Sequence, residues 1–304
     1  MDALARRQEI TPDTYRSFLA YLDVKEKSAQ TYTRSLRPML RYFSDNAITR
    51  PQRADIIAYR QSLSARGLKP TTVQNYITAA RLFFSWTDQE GIYPNIAAHV
   101  KGAKLDRAHK KDYLTSSQSK AVLRAIDTAS LTGMRDYALL ALTITGALRT
   151  IEVSRANIAD LRTLGDMTVL YLQGKGRDEK TEYVRVPEPV EAAIRAYLVR
   201  RGECDPAAPL FASGSNNSRG GRLSTRAISG ICKAAMVKAG YNSPRLTAHS
   251  LRHTGITLAL LRGASLEEAQ EYARHASIST TMIYNHALDR AKNGCSLAVS
   301  NSIF

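Results

Sequence analysis

Cysteine is scarce in this chain. Cys204, Cys232 and Cys295 are scattered through 304 positions. They form neither a metal-ligand spacing nor an even-numbered disulfide framework, so a reducing cytoplasm is the expected compartment. No apolar run approaches the ~20 residues of a membrane span, and no signal-peptide pattern opens the sequence. No stretch has P-loop form, because Gly174-Lys175-Gly176 is followed by neither Ser/Thr nor a helical pattern. There is no internal repeat. Acidic residues are also in deficit, 27 against 43 Lys and Arg, leaving a formal charge of +16. A chain this basic is most simply a polyanion binder, and nucleic acid is the commonest polyanion. Both halves carry the excess, so such contact would be shared rather than confined to a tail.

The length suits about two domains. Residues 1–106 read as helices alone. After the cap Thr11-Pro12-Asp13, Tyr15, Phe18, Leu19 and Leu22 recur at helical spacing. A second helix from about Ser28 sets Tyr32, Leu36, Leu40 and Phe43 on one side and Arg34, Arg37 and Arg41 on another. Pro38 should bend it. A third runs over 52–65, and a fourth opens at Pro70 and reaches Gly91. Four such helices make a compact all-α domain. Arg34, Arg37, Arg41, Lys69, Thr71, Asn75 and Arg81 lie on its polar sides and are candidate DNA contacts, although a charged helix face is usually only solvated.

A polar, basic stretch marks a linker at residues 107–112. Residues 113–304 read as a mixed, mostly helical domain, giving a mainly α, α+β fold class. Thr115 caps a helix through Ile126. A very apolar helix around 136–144 is core and stops at Gly146. Arg149 then emerges from a buried junction, with Glu152 three residues on to orient its guanidinium. Met167–Leu172 and Tyr183–Pro187 read as a small antiparallel hairpin carrying Lys175 and Arg177 at its tip. Ser224 caps a helix that carries Arg226.

Four of the six histidines fall near the C-terminus. His249, Arg252 and His253 sit at i, i+3 and i+4 and share one helix face. His275 and Tyr284, nine apart, would oppose each other on one straight helix at ~100° per residue. They can converge only if Ser277-Ile278-Ser279 breaks it, with Ser279 as the cap. A cationic face with imidazoles beside a phenol suits a phosphodiester.

In this order, Arg149 with Glu152, Lys175, His249-x-x-Arg252, His275 and Tyr284 resemble the tyrosine recombinases: phage integrases, Xer-type recombinases and conjugative-transposon integrases. The resemblance covers the second half by motif order and the first more loosely, as a SAM-like core-binding domain. Two departures stand out. The family often has Gly-Leu-Arg at the first arginine, and here Ala147 intervenes. It often has Leu-Gly-His before the last histidine, and here the run is Ala273-Arg274-His275.

The resemblance implies site-specific DNA recombination through a 3′-phosphotyrosyl intermediate, with no metal, cofactor or ATP. Tyr284 would be the nucleophile, Arg149 and Arg252 the phosphate ligands, and Lys175 the general acid. His249 would move a proton and His275 would hydrogen-bond the phosphate. The partners implied are double-stranded DNA and further copies of the chain, a dimer on each site and a tetramer at synapsis, joined through the apolar C-terminal tail. A cytoplasmic, nucleoid-associated prokaryotic setting follows. A type IB-like topoisomerase and a non-catalytic DNA-binding regulator remain as alternatives.

Overall fold

Large apolar side chains recur at helical spacing through the first hundred residues, and the backbone follows them. Helices α1 (Pro12–Tyr21), α2 (Glu26–Asp45), α3 (Arg53–Ala65) and α4 (Pro70–Gln89) follow one another. In the computed structural model, residues 10, 12–22, 26–104, 112–173, 179–284 and 295–303 are described. The chain divides into two units, Met1–Ala108 and His109–Phe304. In the first, α4 is central, and Phe18, Leu36, Ile56, Leu63, Ile77, Phe83 and Phe84 are sealed from solvent. Phe18 meets Phe83 edge-on at 5.3 Å between centroids, the geometry favoured by the ring quadrupoles. Helix α2 starts two residues earlier than its sequence suggests and continues through Pro38.

The second unit is built around α6 (Leu131–Thr145), whose residues 138–144 are buried almost all round. A helix this apolar has to be enclosed. Helices α5 (Ser116–Arg124), α8 (Glu188–Arg201), α9 (Thr225–Lys238) and α10 (Ala248–Leu261) pack against it or one another. The expected hairpin is present as β2 (Met167–Leu172) and β3 (Glu182–Arg185). The sequence reading missed a third strand, β1 (Leu161–Leu164), which pairs antiparallel with β2 through a turn at Gly165, φ +56°. The sheet order is β1-β2-β3, and Leu170, Leu172 and Val184 press into the core. The chain enters this unit on α10: the Leu114 backbone N–H donates to Thr254 Oγ1 at 2.9 Å, and that hydroxyl donates to the Ser250 carbonyl at 2.8 Å.

Short elements complete the unit: α7 (Thr150–Arg155), α11 (Leu266–Ala273), a helical segment α12 over residues 278–284, and α13 (Cys295–Ile303). Gly255 lets α10 approach the end of α6, since a Cβ there would lie 2.3 Å from the Ile144 carbonyl oxygen. No described helix is long and apolar enough to cross a membrane.

Candidate active site

The junction after α6 sets the first arginine. Gly146 caps the helix, Ala147 adopts a left-handed φ of +44° although it is not glycine, and Leu148 turns inward. Arg149 becomes the N-cap of α7, and Glu152 occupies its third position. Glu152 is buried and accepts from the Arg149 backbone N–H at 2.8 Å and from Arg149 Nη1 at 2.7 Å. One carboxylate thus caps the helix and fixes the guanidinium, the pairing that the i, i+3 spacing suggested.

The second arginine comes from α10. Arg252 is 1% exposed and donates to the carbonyls of Ala147 and Ala273. Arg149 Nη2 donates to the Arg274 carbonyl at 3.0 Å. Both arginines therefore rest on carbonyls at the end of α11, where a helix leaves acceptors unsatisfied and favours cations. A guanidinium has five N–H donors, and the named bonds use two on each side chain. Burial, then Arg149 and Arg274, lower Arg252 to about 10, so it is still a cation at neutral pH.

Helix α11 ends at Ala273, and Arg274 is left-handed at φ +53°. Residues 275–277 are not helical. The break the sequence required is there, but Ser277 rather than Ser279 makes the turn: Ser277 Oγ accepts from the Ser279 backbone N–H at 3.3 Å. The His275 and Tyr284 rings then stack with centroids 6.1 Å apart. Tyr284 is 6% exposed and clusters with Ala147, Ile256 and Ala273. His253 lies 4.8 Å from the Tyr284 ring and 4.6 Å from His249, which is exposed on the same face of α10.

Burial raises the Tyr284 phenol above its ordinary value, and Arg252 then Arg149 pull the other way. Burial and then the surrounding cations, Arg252 first, lower His275 to about 4, which leaves its imidazole neutral at pH 7. Its Nδ1 is 2.9 Å from the Thr281 hydroxyl of α12, a group that can either donate or accept, so the contact fixes the ring's place.

Residues 112–291 match the phage integrase family, and residues 8–91 match the phage integrase N-terminal SAM-like domain. The chain belongs to the phage integrase family of tyrosine recombinases. A tyrosine recombinase XerD of Caulobacter vibrioides is 31% identical over 238 residues, covering 76% of this chain and 75% of that one. Among solved structures, XerH site-specific recombinase bound to palindromic difH substrate has a TM-score of 0.72 at 20% identity, covering 95% and 84% of the two chains. A lambda integrase tetramer bound to a Holliday junction has a TM-score of 0.69 at 17% identity, covering 90% and 75%. These last two likenesses are of fold. Members of the family cleave and rejoin DNA strands, and the chain is a site-specific recombinase of this kind.

Arg149, Glu152, Arg252, His275 and Tyr284 thus converge in the recombinase, with His249 at their edge. Lys175, Arg177 and His286 lie outside the described residues. Arg226 is exposed in the first turn of α9. In the helical unit, Arg34, Arg37, Arg41, Lys69, Thr71 and Asn75 are exposed, whereas Arg81 is half-buried and donates to the Val100 carbonyl. Among the described residues, no three His, Cys, Asp or Glu side chains gather as metal ligands. The sequence reading did not place Arg274 or Thr281 at the site. The only signal for Arg274 was its departure from glycine, and nothing marked Thr281.

Proposed function

We propose that Tyr284 attacks a DNA phosphodiester held by Arg149 and Arg252, and that the recombinase uses this step to exchange strands between specific sites. The Tyr284 oxygen forms a bond to phosphorus, the bond to the 5′ oxygen breaks, and a 3′-phosphotyrosyl link with a free 5′ hydroxyl results. Tyr284 loses its proton toward His249, and the leaving 5′ oxygen gains one from Lys175. His275, neutral, donates from Nε2 to a phosphate oxygen. The covalent link retains the phosphodiester's energy, so attack by another 5′ hydroxyl rejoins the strand without ATP. The charge that develops on the phosphorane oxygens meets donors already fixed in place, which lowers the barrier without reorganisation during the reaction.

The observation that carries this reading is the stacking of Tyr284 on His275 at 6.1 Å, beside two arginines anchored on one helix end. The exposed Val299 and Ile303 of α13 support docking of the tail on a second copy, as a dimer on each site and a tetramer at synapsis. The same reading divides the chain into a core-binding domain (1–106), a linker (107–112) and a catalytic domain (113–304), acting on DNA in the cytoplasm. The exposed α2 and α4 side chains, with Arg177 and Arg226, would contact DNA phosphates, making affinity fall steeply with salt.

The test begins with duplexes selected by binding from the source genome and rebuilt as nicked suicide substrates. Wild-type protein should form a covalent adduct and Tyr284→Phe none, with binding retained in both. Recombinant product between two selected sites separates strand exchange from simple relaxation. Absence of any wild-type adduct on every selected duplex would overturn the reading.

A further inference from the structure

We propose that Arg274 is a positioning residue of the recombinase, one that sets both phosphate-binding arginines by bolting the Gly146–Ala147 loop and Glu152 to the end of α11. The inference rests on the reading that Arg149 and Arg252 hold the phosphate.

Three features identify it. First, the backbone of Arg274 is left-handed at φ +53°, where glycine would sit without steric cost and an L side chain is strained. Second, its guanidinium reaches four groups. Nη1 donates to the Tyr272 carbonyl at 2.8 Å, and Nη2 donates to the Ala147 carbonyl at 3.0 Å and to Glu152 Oε2 at 3.0 Å. Both nitrogens also lie 3.3 Å from the Gly146 carbonyl. Third, its Nε is buried with no partner among the described residues. A strained φ and a sealed, unpaired N–H are both unfavourable, and such costs persist only where the surroundings impose them.

What these costs secure is a set of shared contacts. The Ala147 carbonyl receives Arg274 and Arg252 together, and Ala147 is itself left-handed. Glu152 receives Arg274 on one oxygen and the Arg149 guanidinium on the other. The Arg274 carbonyl receives Arg149 in turn. One side chain therefore fixes an anchor of each phosphate ligand across more than a hundred residues of sequence. Both terminal nitrogens of Arg274 are taken up by these protein acceptors, so it acts through its neighbours.

The experiment compares Arg274→Gly and Arg274→Lys with wild type in the full chain. Glycine relieves the φ strain while removing all four contacts. Lysine keeps a charge for Glu152 but loses the fork. We expect Arg274→Gly to bind selected duplexes within about 3-fold of wild type, whereas its single-turnover adduct formation falls about 100-fold, the scale of a small misplacement of reacting groups. Lysine should restore part of the rate. A wild-type cleavage rate in Arg274→Gly overturns the proposal. If Arg274→Gly does not fold, Arg274→Lys decides: binding unchanged with cleavage slowed supports the role, and equal loss of both overturns it. A wild-type protein that forms no adduct sinks the function reading instead, so the two failures are distinguishable.

Discussion

Replacing Glu152 by Gln tests the electrostatics of the site with almost no change of shape. The carboxylate is fully buried and takes three hydrogen bonds, from the Arg149 backbone, Arg149 Nη1 and Arg274 Nη2. Burial alone would raise its pKa. Arg274, followed by the hydrogen bonds and charge of Arg149, outweighs burial and holds the carboxyl below the ordinary value. Glutamine keeps one acceptor oxygen. Its amide nitrogen would replace Oε2 at the loss of two donors' partner, or Oε1 at the loss of one. It should therefore face Arg149 Nη1, preserving the helix cap and the Arg274 contact and releasing the Arg149 guanidinium.

Removing one charge from a buried pair costs roughly 3–5 kcal/mol, and the retained cap argues for the lower end, about 3 kcal/mol. Loss of one fixed donor to the reacting phosphate should slow cleavage about 100-fold. Denaturant unfolding and single-turnover adduct formation measure the two effects. The pH dependence gives an independent sign. Because the folded carboxyl is lowered, its stabilisation is present above the ordinary carboxylate value and is lost as pH falls below it. Glu152→Gln should lack that acid-side loss. A variant with the wild-type midpoint, acid limb and cleavage rate would refute the assignment of Glu152 as the shared counter-ion.

Other outcomes follow from the same geometry. Imidazole NMR should find His275 neutral down to about pH 5, with its midpoint at about 4, and an ordinary midpoint of ~6.5 would contradict the burial described. Because its folded value is lowered, the contribution of His275 to stability is complete above the ordinary value and declines as pH drops toward about 4, visible in denaturation midpoints against pH. Thr281→Val removes the 2.9 Å contact to His275 Nδ1 at nearly constant volume, and should lower stability by about 1 kcal/mol and slow adduct formation while binding is unchanged. Gly255→Ala places a methyl 2.3 Å from the Ile144 carbonyl oxygen, and should destabilise by ~1–3 kcal/mol in denaturant titration and slow cleavage with it.

Much of this was legible in the sequence because it was local. The Arg149–Glu152 pair follows from a three-residue spacing at a helix start. The need for a break before Tyr284 follows from the helical period alone. Both cores follow from apolar periodicity, most plainly the run buried in α6. Strand β1 was not legible: Leu161-Arg162-Thr163-Leu164 is short and mostly exposed, and it is held by pairing with β2 rather than by its own pattern. Arg274 was visible only as a departure from glycine. Its meaning depends on a left-handed φ and on acceptors 122 to 128 positions away, which no local pattern encodes. Arg81 illustrates the same limit: its place on the polar side of a helix made it a candidate DNA contact, and packing turned it toward Val100.

The bond from Leu114 to Thr254 also has a mechanical consequence. Leu114 hangs on the helix that presents His249 and Arg252, through a hydroxyl that is itself tied to Ser250, while Asp112 pairs with Arg245 ahead of that helix. A pull on the backbone at Leu114 is therefore shared between α10, at the turn next to Arg252, and α5, whose cap Thr115 follows directly in the chain. A strain gauge for this unit belongs at Thr254.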